Sequence, residues 1–239
     1  MTPQANPTPN DAAHPNQSTH DAPRDEAVLA GGDVPIAVWR LDDHDHASAT
    51  TPGNQLASRL AQQLVLVYTR HNESIVDLDN DPHLEQAAAD ALRRYIPIPD
   101  LAAIPDLGSF TESSGDAGLV LLRWPRHTAN TPARTVDLFA ACRLFMNAEG
   151  STIVAVRSAP PGQSGTTYTE HLAELLPAAR TAGLTHALDI VVVTGPSDGD
   201  EFLYYATPAE AQAARLSWPD SHDGQSYNVD LLVFTQRPA

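Results

Sequence analysis

No lysine occurs in the 239 residues, so all 14 basic side chains are arginine. We read that absence as coding bias. Against the arginines stand 30 acids, for a net charge of -16. A surface of that sign repels phosphate backbones, so nucleic acid is disfavoured as a partner unless the arginines cluster in space. Cysteine is almost missing too. The single Cys142 excludes an internal disulfide and any CxxC metal site. Its apolar, helix-patterned surroundings predict a buried structural thiol. No apolar run approaches the ~20 residues of a membrane span, and the N-terminus lacks a basic-then-apolar leader. A cytoplasmic, reducing location is the expectation, with no membrane partner. Residues 1–33 hold almost no large apolar side chains. Such a segment cannot offset its ordering entropy, which predicts a disordered tail, 1–33, ahead of one α/β domain, 34–239.

Hydrophobic residues make up 42% of the chain and are concentrated after the tail. Val34–Leu41 is the first stretch able to pack, with Trp39 as its anchor. Asp42-Asp43-His44-Asp45-His46 has metal-ligand types, but it has no second cluster nearby in sequence and reads as a solvated acidic loop. Thr51-Pro52 is a helix start, and Leu56, Leu60, Leu64 and Val67 continue that helix on one face as far as Arg70-His71-Asn72. The chain then alternates. A strand Ile75–Leu78 is followed by a helix Leu84–Arg93 and a strand Tyr95–Ile98, which Pro97 places near an edge. A fully apolar strand Leu119–Leu122 is followed by a helix Pro132–Asn147, with Val136, Phe139, Ala140, Arg143 and Leu144 at helical spacing and Gly150 to end it. A strand Thr152–Val156 leads to a helix Tyr168–Ala182 stopped by Gly183. Strands Ala187–Val193 and Phe202–Ala206, a helix Pro208–Leu216 and a strand Val229–Phe234 complete the pattern. This order predicts a Rossmann-like, open and mostly parallel sheet flanked by helices, with an antiparallel strand near the C-terminus.

The stretch most suggestive of a site is Ser74–His83, a strand that runs through Asp77 into the acidic turn Asp79-Asn80-Asp81-Pro82-His83 and then a helix. Strand, turn and helix in that order place a small ligand at the carboxyl end of many α/β sheets. Elsewhere the signals are weaker. Ser164, His171 and Asp189 can be composed into a triad on paper, but no Gly-x-Ser-x-Gly elbow supports it. Gly162-Gln163-Ser164-Gly165 lacks the lysine of a phosphate loop. No histidine pair has metal spacing.

Four features together resemble the class I S-adenosylmethionine-dependent methyltransferases, and among them the DNA amino-methyltransferases. They are Val38-Trp39 ahead of a polar loop, the helix through Tyr68-Thr69 into Ile75-Val76-Asp77, Leu119–Leu122 leading to Trp124-Pro125, and the closing segments Gly183-Leu184, Ala187–Val193 and Asn228–Phe234. The resemblance covers roughly residues 36–236. It implies that Asp77, Asp79 and Asp81 lie in the cofactor loop and that Arg123, Trp124, Pro125 and Arg126 stand in the substrate pocket, at the catalytic motif.

Two departures from the family bear on activity. Its cofactor loop is glycine-rich, which lets backbone approach the ligand, whereas this loop carries acids, Pro82 and His83. Those side chains are expected to crowd the ligand and to repel its carboxylate, so that replacing Asp81 and His83 by glycine should improve binding. The family's catalytic motif needs an acceptor for the target amine, and Arg123 cannot accept a hydrogen bond. The expectation is a catalytically degenerate, methyltransferase-like binding or regulatory module. It has no catalytic residue, no metal and no cofactor, and its partner is an unknown protein or small molecule. The alternative is an active enzyme that uses S-adenosylmethionine on a small molecule or a nucleic-acid base.

Overall fold

A computed structural model describes residues 34–42, 56–98, 115–126, 132–159, 164–195, 201–203, 206–216 and 228–236. The chain divides into two units. Met1–Gly32 lies outside the described residues, and Asp33–Ala239 is the α/β unit. The predicted tail, the cluster Asp43–His46 and the helix start at Thr51-Pro52 likewise fall outside the description.

Apolar and polar stretches alternate along the α/β unit, and each apolar stretch becomes an element. In order these are β1 (Ile36–Asp42), α1 (Ser58–Tyr68), β2 (Ser74–Asp77), α2 (Pro82–Asp90), β3 (Arg94–Pro97), β4 (Ala117–Trp124) and α3 (Pro132–Phe145). They continue with β5 (Met146–Ser158), α4 (Tyr168–Thr181), β6 (Leu184–Gly195), β7 (Glu201–Leu203), α5 (Pro208–Leu216) and β8 (Asn228–Gln236). The strands form one sheet in the order β3-β2-β4-β5-β8-β6-β1-β7. The pairs β2–β3, β2–β4, β4–β5 and β1–β6 are parallel. β8 runs antiparallel to both β5 and β6, and β7 antiparallel to β1. The open, mostly parallel sheet and its antiparallel strand near the C-terminus are as the sequence predicts, and the proline-bearing β3 is an edge.

β4 shows why the sheet is covered on both faces. Successive side chains of a strand point to opposite sides. Val120, Leu122 and Trp124 enter a core with Phe139, Cys142 and Phe145 of α3 and Leu175 and Ala178 of α4. Leu119 and Leu121 enter the opposite core, with Leu60, Leu64 and Val65 of α1 and Leu84 and Ala88 of α2. α5 covers β1 and β6, with Ala211 against Val38, Val191 and Val193. Each fully buried Leu or Phe contributes about 1.5–3 kcal/mol. Cys142 is buried as predicted, and burial pushes its thiol up to about 12.

The helix faces depart from prediction in four places. On α1 the buried stripe is Leu60, Ala61, Leu64 and Val65, and Val67 is exposed. Val67 belongs to the apolar pattern without belonging to the stripe. α2 ends three residues earlier than the apolar spacing suggests. Arg93 N–H donates to the Ala88 carbonyl and Leu92 N–H to that of Ala89, and Leu92 takes a left-handed φ of 56° that leaves it exposed. On α3 the inward residues are Leu138, Phe139, Ala141, Cys142 and Phe145, while Leu144 is exposed. The last departure is Gly150, which does not end α3 but lies inside β5. A side chain there would bring Cβ to 2.4 Å from the Ala117 carbonyl of β4, so glycine is needed for two backbones to meet.

Candidate functional site

β2 and β4 are parallel neighbours, so both deliver their following segments to the same edge of the sheet. This brings Asp77, Asp79 and Asp81 together with Arg123 and Arg126. The acidic turn organises itself first. Asp77 is fully buried at the end of β2, and its carboxylate accepts from the Asp79 N–H at 2.9 Å and the Asp81 N–H at 2.6 Å. Tyr95 of β3 donates its hydroxyl to the same carboxylate at 2.7 Å. Burial pushes the Asp77 carboxyl above its usual 3.8, opposed by these three hydrogen bonds. Burial, together with the bond to Asp77, raises the Tyr95 phenol far above its usual range, so it stays a donor. Asn80 takes the left-handed turn conformation, with φ of 55°, which asparagine tolerates better than most residues.

Asp81 is the N-cap of α2, accepting from the N–H groups of His83 and Leu84, with Pro82 at the first helical position. Its second oxygen accepts the Leu56 N–H at 2.8 Å. His83 completes that tie, with its Nδ1 2.5 Å from the Leu56 carbonyl. Both polar backbone atoms of Leu56 are thus held by the turn, which fixes the approach to α1.

The two arginines close the site. Arg123 donates its backbone N–H to Asp79 Oδ2 at 2.6 Å and its Nη2 to the Asp79 carbonyl at 3.1 Å. Its guanidinium lies 3.4 Å from Asp81 Oδ2 and 3.7 Å from Asp79 Oδ2. Arg126 donates Nη2 to the Leu78 carbonyl at 2.9 Å and faces Asp79 Oδ1 at 3.3 Å. Asp81 is 1% exposed, and the side chains of Arg123, Arg126 and Asp79 are 19%, 14% and 16% exposed. Two cations and two carboxylates in such a place compensate one another.

Two sequence expectations need correction here. The acidic turn does not present free negative charge, because Arg123 and Arg126 pair with it. Asp81 and His83 do not merely obstruct. They also cap α2 and hold Leu56, so changing both to glycine would remove a cap and an anchor.

Trp124 points the other way. It is buried in the α3–α4 core, and its indole N–H donates to His171 Nδ1 at 3.2 Å. Pro125 follows through a cis peptide bond and is exposed. The four residues of the expected substrate pocket therefore divide. Arg123 and Arg126 hold the acidic turn, and Trp124 packs in the core. Of the paper triad, Asp189 lies beside His186, Oδ1 to Nε2 at 2.8 Å, and His171 beside Trp124. Among the described residues no cluster of three or more His, Cys, Asp or Glu could hold a metal, and no helix is long and apolar enough to cross a membrane. Sequence reasoning missed Tyr95 and Leu56 as partners of the turn, and His171 as the partner of Trp124. For Tyr95, the signal was available in its place on the neighbouring parallel strand.

The solved structures to which the chain is similar include methyltransferases. Geranyl diphosphate C-methyltransferase from Streptomyces coelicolor A3(2) matches with 12% identity over 75% of this chain and 80% of its own, at a TM-score of 0.43. The antibiotic-resistance methyltransferase Kmr matches with 15% identity over 90% and 92%, at 0.35. LepI in complex with SAM matches with 15% identity over 83% of this chain at 0.36, and this chain spans 42% of LepI's length. Likenesses at this level carry no information about activity. No family model and no curated protein matches the chain.

Proposed function

We propose that this protein is a methyltransferase-like binding or regulatory module that does not use S-adenosylmethionine. The observation that carries the reading is the closure of the acidic turn by Arg123 and Arg126. A cofactor entering at the carboxyl end of β2 would have to displace two guanidiniums and leave Asp79 and Asp81 without their cations. Leaving a buried carboxylate such as Asp81 without its cation costs at most about 3–5 kcal/mol, an upper bound of about two to four powers of ten in affinity. The segment Arg123-Trp124-Pro125-Arg126 stands where the DNA amino-methyltransferases that the sequence resembles carry their catalytic motif. Arg123 offers no acceptor for an amine proton, and Trp124 is buried against His171. The partner is a protein or a small molecule, since a net charge of -16 disfavours nucleic acid.

Isothermal titration of the whole chain with S-adenosylmethionine tests this. No heat of binding is expected at millimolar cofactor. Micromolar or tighter binding would overturn the proposal in favour of an active methyltransferase.

A further inference from the structure

The His171 ring is held by Trp124 and by the Arg157 backbone. Nδ1 accepts the Trp124 indole N–H at 3.2 Å, and a hydrogen bond to the Arg157 backbone favours the charged ring. The residue is 3% exposed. This arrangement requires the neutral imidazole with its proton on Nε2. A second proton can go only to Nδ1, where it meets another N–H donor in place of an acceptor. The residue it would push against is the one between the arginines: Trp124 follows Arg123 directly and precedes Arg126 by two.

We propose that His171 is a proton-sensitive hold on the arginine closure. A proton on Nδ1 expels the Trp124 indole, the segment Arg123–Arg126 loosens, and the acidic turn opens in acid. The inference goes beyond the reading above and depends on this geometry, not on whether S-adenosylmethionine binds.

On α4, Glu170 and Glu174 favour the charged imidazole, but burial opposes them and prevails, holding the ring below its ordinary 6.5. α3 presents Thr135, whose hydroxyl is directed to Glu174 Oε1 at 3.4 Å. β4 presents Trp124 and, beyond it, Arg126, which is turned toward Leu78 and Asp79. β5 presents the Arg157 backbone. On β8, buried Asp230 lies two strands from Trp124 in the row Trp124–Val156–Asp230. On β6, His186 Nε2 lies 2.8 Å from Asp189 Oδ1.

Hydrogen exchange of the whole chain tests the coupling, followed at the Asp81 and His83 amides from about pH 7.5 to about 5.5, the range in which histidine titrates, and corrected for intrinsic rates. Exchange at these amides is expected to rise by up to about tenfold per pH unit below the ordinary histidine value. His171→Asn, whose Oδ1 can keep the Trp124 bond but takes no proton, is expected to abolish the rise. In parallel, Trp39→Phe with Trp218→Phe leaves Trp124 as the only tryptophan, and its emission is expected to change over the same range. A flat corrected exchange in the wild type overturns the proposal, as does an equal rise in His171→Asn. If His171→Asn does not fold, the two other readouts decide: loop exchange and Trp124 emission moving together support the hold, and either moving alone overturns it.

Discussion

At the scale of single residues, one carboxylate carries an unusual share of the structure. Asp81 caps α2 through His83 and Leu84, holds Leu56, and meets Arg123. Asp81→Ala is therefore expected to destabilise the fold by about 2–4 kcal/mol, read as a lower urea midpoint with unchanged slope. Asp81→Asn keeps an acceptor for the cap but loses the charge opposite Arg123, and should fall between. Cys142 gives a second test. Its thiol is buried and held up to about 12, so a disulfide exchange reagent at mildly alkaline pH should leave the native protein unlabelled and label it fully in denaturant. His171 gives the pH test. Its folded form binds a proton less readily than the ordinary 6.5 implies, so below that pH the unfolded chain binds more protons and stability falls until the folded value is passed. Asp77 acts oppositely: its raised carboxyl favours the folded state in strong acid, and that contribution is lost as pH rises through the folded value. Comparing urea midpoints of the wild type and His171→Asn in the weakly acidic range separates the first effect from that of Asp77, and His171→Asn should flatten the slope. The acids of the turn were legible as a turn. Where Arg123 and Arg126 would reach was not, because that depends on β2 and β4 being parallel neighbours, and no local spacing encodes it.

At the scale of elements, helix existence was easier to read than helix orientation. Apolar residues at spacings of three and four fit more than one stripe, so Val67 and Leu144 belong to a predicted face without belonging to the buried one. Leu92 is the sharpest case. Its spacing continues the apolar pattern of α2, yet the backbone there turns left-handed, a conformation that costs a branched residue about 1–2 kcal/mol. Leu92→Gly should relieve that strain, against the greater freedom of glycine in the unfolded chain, for a net gain of about 0.5–1 kcal/mol. Thermal unfolding of the variant checks it; a loss of stability would mean that the exposed Leu92 side chain contributes to the fold. Strands were read more reliably, since a run such as Leu119–Leu122 allows only burial on both faces. Gly150 was misread because a glycine after a helix and a glycine at a close backbone approach look alike in sequence.

At the scale of the whole molecule, charge and topology answer different questions. A net charge of -16 predicts that duplex DNA binds weakly or not at all at physiological salt; fluorescence anisotropy with a steep salt-dependent, submicromolar affinity would contradict it. The topology has a temporal consequence. Among the described residues the sheet has eight strands; β8 is last of them in sequence, and among them it alone joins β3-β2-β4-β5 to β6-β1-β7. Until it arrives, two part-sheets each present a bare margin, formed by β5 and by β6, with backbone donors and acceptors unspent. β1 meanwhile waits for β6, which lies most of the chain away. At the usual ~5–20 residues per second of synthesis, the nascent chain spends several seconds in that divided state. Strands from another copy can pair with either margin in that interval. The sheet is thus most open to misassociation just before it is complete, and a slow codon ahead of residue 228 should lower the soluble yield more than the same delay placed before β2.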